Sequence, residues 1–222
     1  LAASADLVLA NSTRFAAELQ AYNPHTYPIE TGVNLTLYNP AKEYGTPDDV
    51  QNIPHPIIGY MGWITSRRLD ADLMYEAAKR LLECSMVLVG GEDDYFKSHK
   101  LHSLGNVFFL GEKQQAEIAA YMAHFDVCIN PQSVNDITIG NYPRKVDEYL
   151  ALGKPVVATK TKTMEIFNGY VYNCTGADEY VQSIRAALEK DTTEERKRRM
   201  EFAHTHTWEN SVSQLYNYIN QL

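Results

Sequence analysis

Cysteine is scarce in this chain: there are three among 222 residues, Cys84, Cys128 and Cys174, an odd number without metal-ligand spacing. Two lie in apolar segments, where cysteine serves as a small core residue, so a reducing compartment is the simplest inference. Long apolar runs are missing, and no basic amphipathic helix stands out as an anchor, so the chain reads as one without a membrane span. The glycine pattern GXGXXG is absent, which counts against a dinucleotide cofactor. The seven histidines form no zinc pattern, His204 and His206 in HTHTW reading as helix-end residues, and no nucleophilic triad is legible. Positive charge is also in short supply: 20 Lys and Arg against 28 Asp and Glu leave a net charge of −8, which argues against nucleic acid as a partner. The basic run at residues 194–199, EERKRR, reads as a solvated helix face, and the glycosylation-like tripeptides at Asn11, Asn34 and Asn173 as chance.

What is present is an ordinary globular balance, 45% hydrophobic and 22% charged, enough for one large domain or two small ones. The chain opens at Leu1 directly into ADLVLANS, which reads as the interior of a larger protein. Short apolar runs at residues 7–10, 26–29, 57–61, 86–89, 107–110, 127–129, 156–158 and 170–172 predict strands. Between them, helical spacing predicts helices at 71–82, 115–125 and 143–152, and three more follow at 177–189, 193–204 and 208–219. Most of the strands are continuously hydrophobic. The alternation therefore predicts an α/β fold, a mostly parallel sheet with helices on both faces, with residues 40–56 as a surface loop. Ligands of such sheets collect outside the carboxyl ends of the strands, which selects the loops after Met61, Val89, Leu110 and Ile129.

The segment 140–159, GNYPRKVDEYLALGKPVVAT, breaks one rule of helix design. Pro143 suits the first helical position, Val146, Tyr149 and Leu150 form an apolar stripe, and Gly153 with Pro155 ends the helix. Yet Arg144 and Lys145 stand in the first turn, where the macrodipole is already positive and acids are preferred by about 0.3–1 kcal/mol each. Two cations at a helix start fed by a glycine-bearing loop make a place for a phosphate or diphosphate. Glu148 lies on the same flank and can accept hydrogen bonds from sugar hydroxyls, so one nucleotide sugar could use both. The plainer reading makes Arg144 and Glu148 a surface i,i+4 pair.

The remaining loops are read in the same way. In GWITSRR, Gly62 gives the backbone room while Arg67 and Arg68 could grip a diphosphate; the plainer reading pairs them with Asp70 and Asp72. GGEDDYF is too acidic for phosphate, and Glu92, Asp93 and Asp94 read as solvated or helix-capping residues. After NVFFL, Gly111 and its neighbours could meet a nucleobase edge. The long loop 130–142, NPQSVNDITIGNY, offers Asn135, Thr138, Gly140 and Asn141 to phosphate or sugar.

In order along the chain, IETGVN, GYMGWITSRRLDADLM, NVFFLGEKQQAEIAAYMAHFDVCINP and DEYLALGKPVVAT resemble the C-terminal, donor-binding domain of a GT-B glycosyltransferase of the retaining group 1 family. The resemblance covers nearly the whole chain, and NPQ, TIGNYPRK and DEYLA together are similar to bacterial transferases that build surface polysaccharides. It implies a Rossmann-like donor domain spanning 1–222 and an acceptor domain outside this chain, with residues 205–222 packing back towards it. It further implies a nucleoside-diphosphate sugar as donor, a saccharide or lipid-linked saccharide as acceptor, no cofactor and no metal. The setting it implies is cytoplasmic, at the periphery of the inner membrane for the full-length enzyme. On it, Glu148 would bind the ribose, Arg68 or Arg67 and Lys145 the diphosphate, and the backbone near Gly111 and Lys113 the base. Two positions depart from the family: Gly140 stands where a first glutamate is common, and Trp63 where an arginine often follows the glycine. Both departures bear on contacts to the donor sugar and leave the nucleotide contacts largely intact. A nucleotide-sugar epimerase, a non-catalytic nucleotide-sugar sensor and a dehydrogenase are the alternatives weighed. The epimerase lacks a legible acid/base set and the dehydrogenase its glycine fingerprint.

Overall fold

The computed structural model describes residues 1–222. Its centre is a six-stranded sheet built from β3 (Ile57–Met61), β4 (Ser85–Val89), β5 (Val107–Gly111), β6 (Val127–Asn130), β7 (Val156–Thr159) and β8 (Tyr172–Cys174). The order is β5-β4-β3-β6-β7-β8, and every pairing is parallel. Strands β3, β4 and β6 are buried at every residue, which is why they read as unbroken apolar runs rather than alternating ones. One face is covered by α4 (Ile118–Ala123), α5 (Arg144–Ala151) and α7 (Thr193–Ala203), the other by α2 (Ala71–Arg80) and α6 (Ala177–Lys190). The chain first winds outward from β3 to β5 and then returns to β6 on the other side of β3. That reversal leaves a crevice at the carboxyl ends of β3 and β6.

A second, smaller sheet stands apart. Strands β1 (Val8–Ala10) and β2 (Thr26–Pro28) pair in parallel around α1 (Thr13–Gln20) and share no ladder with the main sheet. The last helix, α8 (Trp208–Ile219), returns across this unit: Tyr218 stacks on Tyr27 at 4.3 Å between ring centroids, and the Ser211 hydroxyl donates to the Glu30 carbonyl at 2.8 Å. Gly32 is needed at this crossing, because a Cβ there would stand 2.0 Å from the Trp208 backbone nitrogen.

Most expected elements are present, with shifts at their ends. The last strand lies at Tyr172–Cys174 rather than 170–172, because Phe167 and the two residues after it turn back on Tyr170 and Val171 before pairing begins. The helix expected at 115–125 runs only from Ile118 to Ala123; residues 115–117 form a turn in which the Glu117 carboxylate accepts from the Gln114 amide. Two helices have no counterpart in the sequence reading: α1, which buries only Ala16, and the four-residue α3 (Asp94–Lys97). All three cysteines are buried and unpaired. No helix is long and apolar enough to cross a membrane.

Candidate functional site

A cleft of about 300 Å³ opens at the crevice between β3 and β6. Of the residues singled out from sequence, it brings together Gly62, Arg68, Thr138, Asn141, Arg144, Lys145 and Glu148. It adds Tyr38, Tyr60, Asn130 and Gln132, and from the approach to α4 it adds Gln115 and Ile118.

Helix α5 delivers the charges. Its apolar stripe buries Val146, Tyr149 and Leu150 against the sheet, and the Tyr149 hydroxyl accepts the Met61 amide at 2.9 Å, fixing the helix to the end of β3. Gly153, at φ +71°, ends it, and the Lys154 amide returns to the Tyr149 carbonyl at 3.0 Å. Pro143 sits one position before the helix rather than at its first residue, so Arg144 opens the first turn. The acid a helix start prefers is present as Asp147, but its carboxylate is wholly buried and accepts from the Tyr142 hydroxyl at 2.6 Å, away from the cleft. The cleft side therefore keeps its positive character.

Lys145 has no carboxylate partner. Its Nζ donates to the Tyr60 hydroxyl at 2.6 Å and lies 4.0 Å from that ring's centroid, while Tyr60 donates to the Trp63 carbonyl at 3.2 Å. The Gly62 backbone, at φ +135°, passes close by: a Cβ there would be 3.1 Å from the Lys145 amine. Glu148, its side chain 12% exposed, pairs with the Arg144 Nε at 3.3 Å. The surface pair considered from sequence thus exists, but its acid faces the cleft. Burial raises the Glu148 carboxyl above its ordinary range, with Arg144 and Lys145 pulling in the opposite direction.

The two arginines of the first loop are exposed and form no ion pair, because the acids that might have taken them are engaged elsewhere. Asp70 caps α2 through the Leu73 amide at 2.9 Å, and Asp72 pairs with Lys100 at 2.8 Å. Asp93 does more than cap α3: it also accepts from the Thr65 hydroxyl at 3.0 Å and from the Ser66 amide and hydroxyl, both at 2.8 Å. It thereby braces the loop that carries Arg67 and Arg68.

Other expected residues lie outside the cleft lining. Asn135 organises its own loop, accepting from the Ile137 amide at 2.9 Å and donating to the Arg67 carbonyl at 3.0 Å. Thr138 is inside, and its hydroxyl donates to the Ser133 carbonyl. Gly140 packs against Arg14 of α1, Gly111 turns at φ +70° in the open, and Lys113 is tied to Asp49 at 2.6 Å. Arg67 is not part of the cleft lining. Tyr38 and Tyr60 were missed because nothing local marks them; only the fold brings them to α5. Asn130 and Gln132 carried a signal, since they open the loop already selected. No group of three or more His, Cys, Asp or Glu stands where it could hold a metal ion.

A family model described as "Glycosyl transferases group 1" matches residues 55–190, more than half of the chain. The chain belongs to the group 1 glycosyltransferases. The protein of Bacillus subtilis (strain 168) named as teichuronic acid biosynthesis glycosyltransferase TuaH is 28% identical over 210 residues, covering 90% of this chain. The chain spans about half of that relative's length, 52%. Among solved structures, Anabaena HepE in complex with UDP superposes with a TM-score of 0.77 at 20% identity, over 98% of this chain and 64% of HepE. Sucrose-phosphate synthase of Thermosynechococcus elongatus gives 0.77 at 21%, over 98% of this chain and 58% of the synthase. These likenesses show the fold, the Rossmann-like α/β arrangement found in GT-B glycosyltransferases. Within this group 1 domain, the family match runs from His55 to Lys190 and so covers the main sheet but not β1, α1, β2, α7 or α8.

Proposed function

We propose that this chain is the donor-binding half of a glycosyltransferase that moves a sugar from a nucleoside diphosphate to a saccharide or lipid-linked saccharide acceptor, in the building of a bacterial polysaccharide or glycoconjugate. The observation that carries the reading is the pairing of two cations without acid partners, Lys145 and Arg68, with the largely buried Glu148 on one cleft at the sheet's reversal point. Lys145 and Arg68 would neutralise the charge that develops on the departing diphosphate, and a closed cleft would make that neutralisation worth more by excluding water. Glu148 would accept the ribose hydroxyls; its partial desolvation strengthens such bonds when a hydroxyl displaces water. Asn141 and Thr138, in the cleft lining, would meet the diphosphate and sugar, and the backbone near Gly111 and Lys113 would meet the base. Two fixed cations supply the charge for which metal-dependent transferases recruit a divalent ion, so binding is expected without magnesium. The main part of the acceptor site would lie on a part of the protein beyond these residues. The exposed side chains of Trp208, Val212, Tyr216 and Ile219, spaced along one side of α8, would face it. The reading places the enzyme on the cytoplasmic side, peripheral to the membrane where the acceptor is lipid-linked.

The test is a calorimetric titration of the chain with UDP, GDP, ADP and CMP, with and without magnesium, starting with UDP because HepE was solved with it. One nucleoside diphosphate should bind selectively, and Glu148→Ala should weaken it at least about tenfold, the loss of roughly one charge-assisted hydrogen bond. In the full-length enzyme Lys145→Ala or Arg68→Ala should lower turnover by about 10²-fold, within the range for loss of one charge-stabilising donor. A folded chain, together with the full-length enzyme, that binds none of the four nucleotides would remove the donor site.

A further inference from the structure

The residue after Gly62 points the other way from the cleft. Trp63 is 55% exposed, unusual for a tryptophan that follows a central strand, and it lies over the carboxyl ends of β4 and β5. Its position is built rather than incidental. Gly62 donates to the Val89 carbonyl at 2.9 Å and Ile64 to the Gly91 carbonyl at 2.8 Å, so the loop stays laddered to its neighbour on either side of the indole. Gly91 supplies the room: a Cβ there would stand 2.3 Å from the ring and 2.5 Å from a carboxylate oxygen of Glu112. The indole and the Glu112 carboxylate therefore adjoin across a glycine. Glu92 follows on the same rim, bridged through its backbone to Ile64 and held by His102 at 2.8 Å, whose ring stacks on Phe109 at 3.8 Å.

We propose that Trp63, with Glu112 and Glu92, forms a subsite for a neutral pyranose of the acceptor saccharide; this rests on the transferase reading above. A flat, rigid, exposed indole offers an apolar face to the C–H side of a sugar ring. Carboxylates at its edge accept from the equatorial hydroxyls that project around the rim of the ring. The Glu112 carboxylate beside the indole, with Glu92 further along the rim, selects against a uronate or a phosphorylated sugar, which would bring another negative charge to it. The position also suits the second substrate. The Trp63 carbonyl shares the Tyr60 hydroxyl with Lys145, so the platform begins two hydrogen bonds from the cation that would hold the leaving diphosphate, on the opposite side of Gly62 from the donor cleft.

The chain has two tryptophans, so Trp208→Phe leaves Trp63 as its only indole reporter. With UDP present, the emission of this variant is titrated with the methyl glycosides of glucose, galactose and N-acetylglucosamine, with methyl glucuronide as the anionic control and uridine as the stacking control. At least one neutral glycoside should give a saturable shift, at least about tenfold tighter than the glucuronide, and uridine none. Glu112→Gln should weaken that shift, and Gly91→Ala, which pushes the ring aside without removing it, should abolish it while leaving UDP affinity unchanged. In the full-length enzyme Trp63→Ala should raise KM for the acceptor about tenfold with kcat nearly unchanged, and Trp63→Phe should restore most of it. A silent indole with every neutral glycoside while UDP still binds overturns the subsite, as does an equal response to uridine. Loss of UDP binding with the sugar response intact counts against the donor site and leaves the platform standing.

Discussion

Gly59, in the middle of β3, has no freedom to change: a Cβ on it would lie 2.0 Å from the ring of Phe125, which fills the space above the strand. Gly59→Ala should therefore cost at least the 1–3 kcal/mol typical of overpacking, read as a lower urea midpoint at unchanged slope, and Phe125→Leu in the same chain should recover part of it. A midpoint within error of the wild type would show that the ring moves freely and that β3 is not pinned there. The same residue-scale logic marks what sequence could and could not reveal about the site. Arg144, Lys145 and Glu148 announced themselves because their irregularity is local, two cations and an acid in one helical turn. Tyr60 did not: it reads as one more apolar residue in PIIGYM, and its hydroxyl matters only because the fold brings Lys145, 85 positions away, to 2.6 Å. Asp93 was half legible, its capping role visible in the acidic run but its grip on Thr65 and Ser66 dependent on the pairing of β3 with β4.

At the scale of the element, α5 is a helix whose first turn is set against itself. The macrodipole favours acid there, yet the cleft side carries Arg144 and Lys145 while Asp147 is turned inward. If the cations serve a ligand, removing one should not harm the empty fold. Lys145→Gln keeps a donor for the Tyr60 hydroxyl and removes a charge that opposes the dipole. Its stability without ligand should stay within ~0.5 kcal/mol of the wild type, while affinity for the nucleoside diphosphate falls at least about tenfold. Parallel losses of stability and affinity would make Lys145 a structural residue and the basic turn an accident. The helix itself was legible, since Gly153 at positive φ and the stripe Val146, Tyr149 and Leu150 act as expected. The short helices were not: α3 owes its existence to one capping carboxylate, and α1 buries a single alanine, too little for periodicity to register.

At the scale of the whole molecule, the parallel sheet was readable because buried strands leave long apolar runs, whereas the separation of β1 and β2 into their own sheet was not, since pairing partners leave no mark on single strands. The two units meet at a buried cluster that no short-range pattern predicted. His206, in the turn before α8, places Nδ1 3.1 Å from Asp147 of α5, off the line of a good hydrogen bond, and Nε2 3.6 Å from Glu30, where the chain leaves β2. Phe202 and Phe167 close the ring in, and Tyr142 donates to the far oxygen of Asp147. Burial alone would lower the His206 pKa, but the two carboxylates outweigh it and raise it above the ordinary value; burial also raises Asp147 and Glu30, against the pull of His206. A histidine whose folded pKa is raised contributes stability that is complete below its unfolded value and is lost as pH climbs through the folded one. A raised carboxyl acts in the same direction, because its ionisation costs more in the folded state than in the unfolded chain. Both signs agree, so stability should fall as pH rises above the ordinary imidazole value of about 6.5, where a raised imidazole loses its proton. His206→Gln should lower the thermal midpoint at the acidic end and flatten the decline, and Asp147→Asn should flatten it as well, since either change removes the pair whose charge depends on pH. Wild-type and His206→Gln profiles that run parallel across this range would show that the cluster stays in one protonation state and that the junction between the two sheets is held by packing around Gly32 and Tyr27 instead.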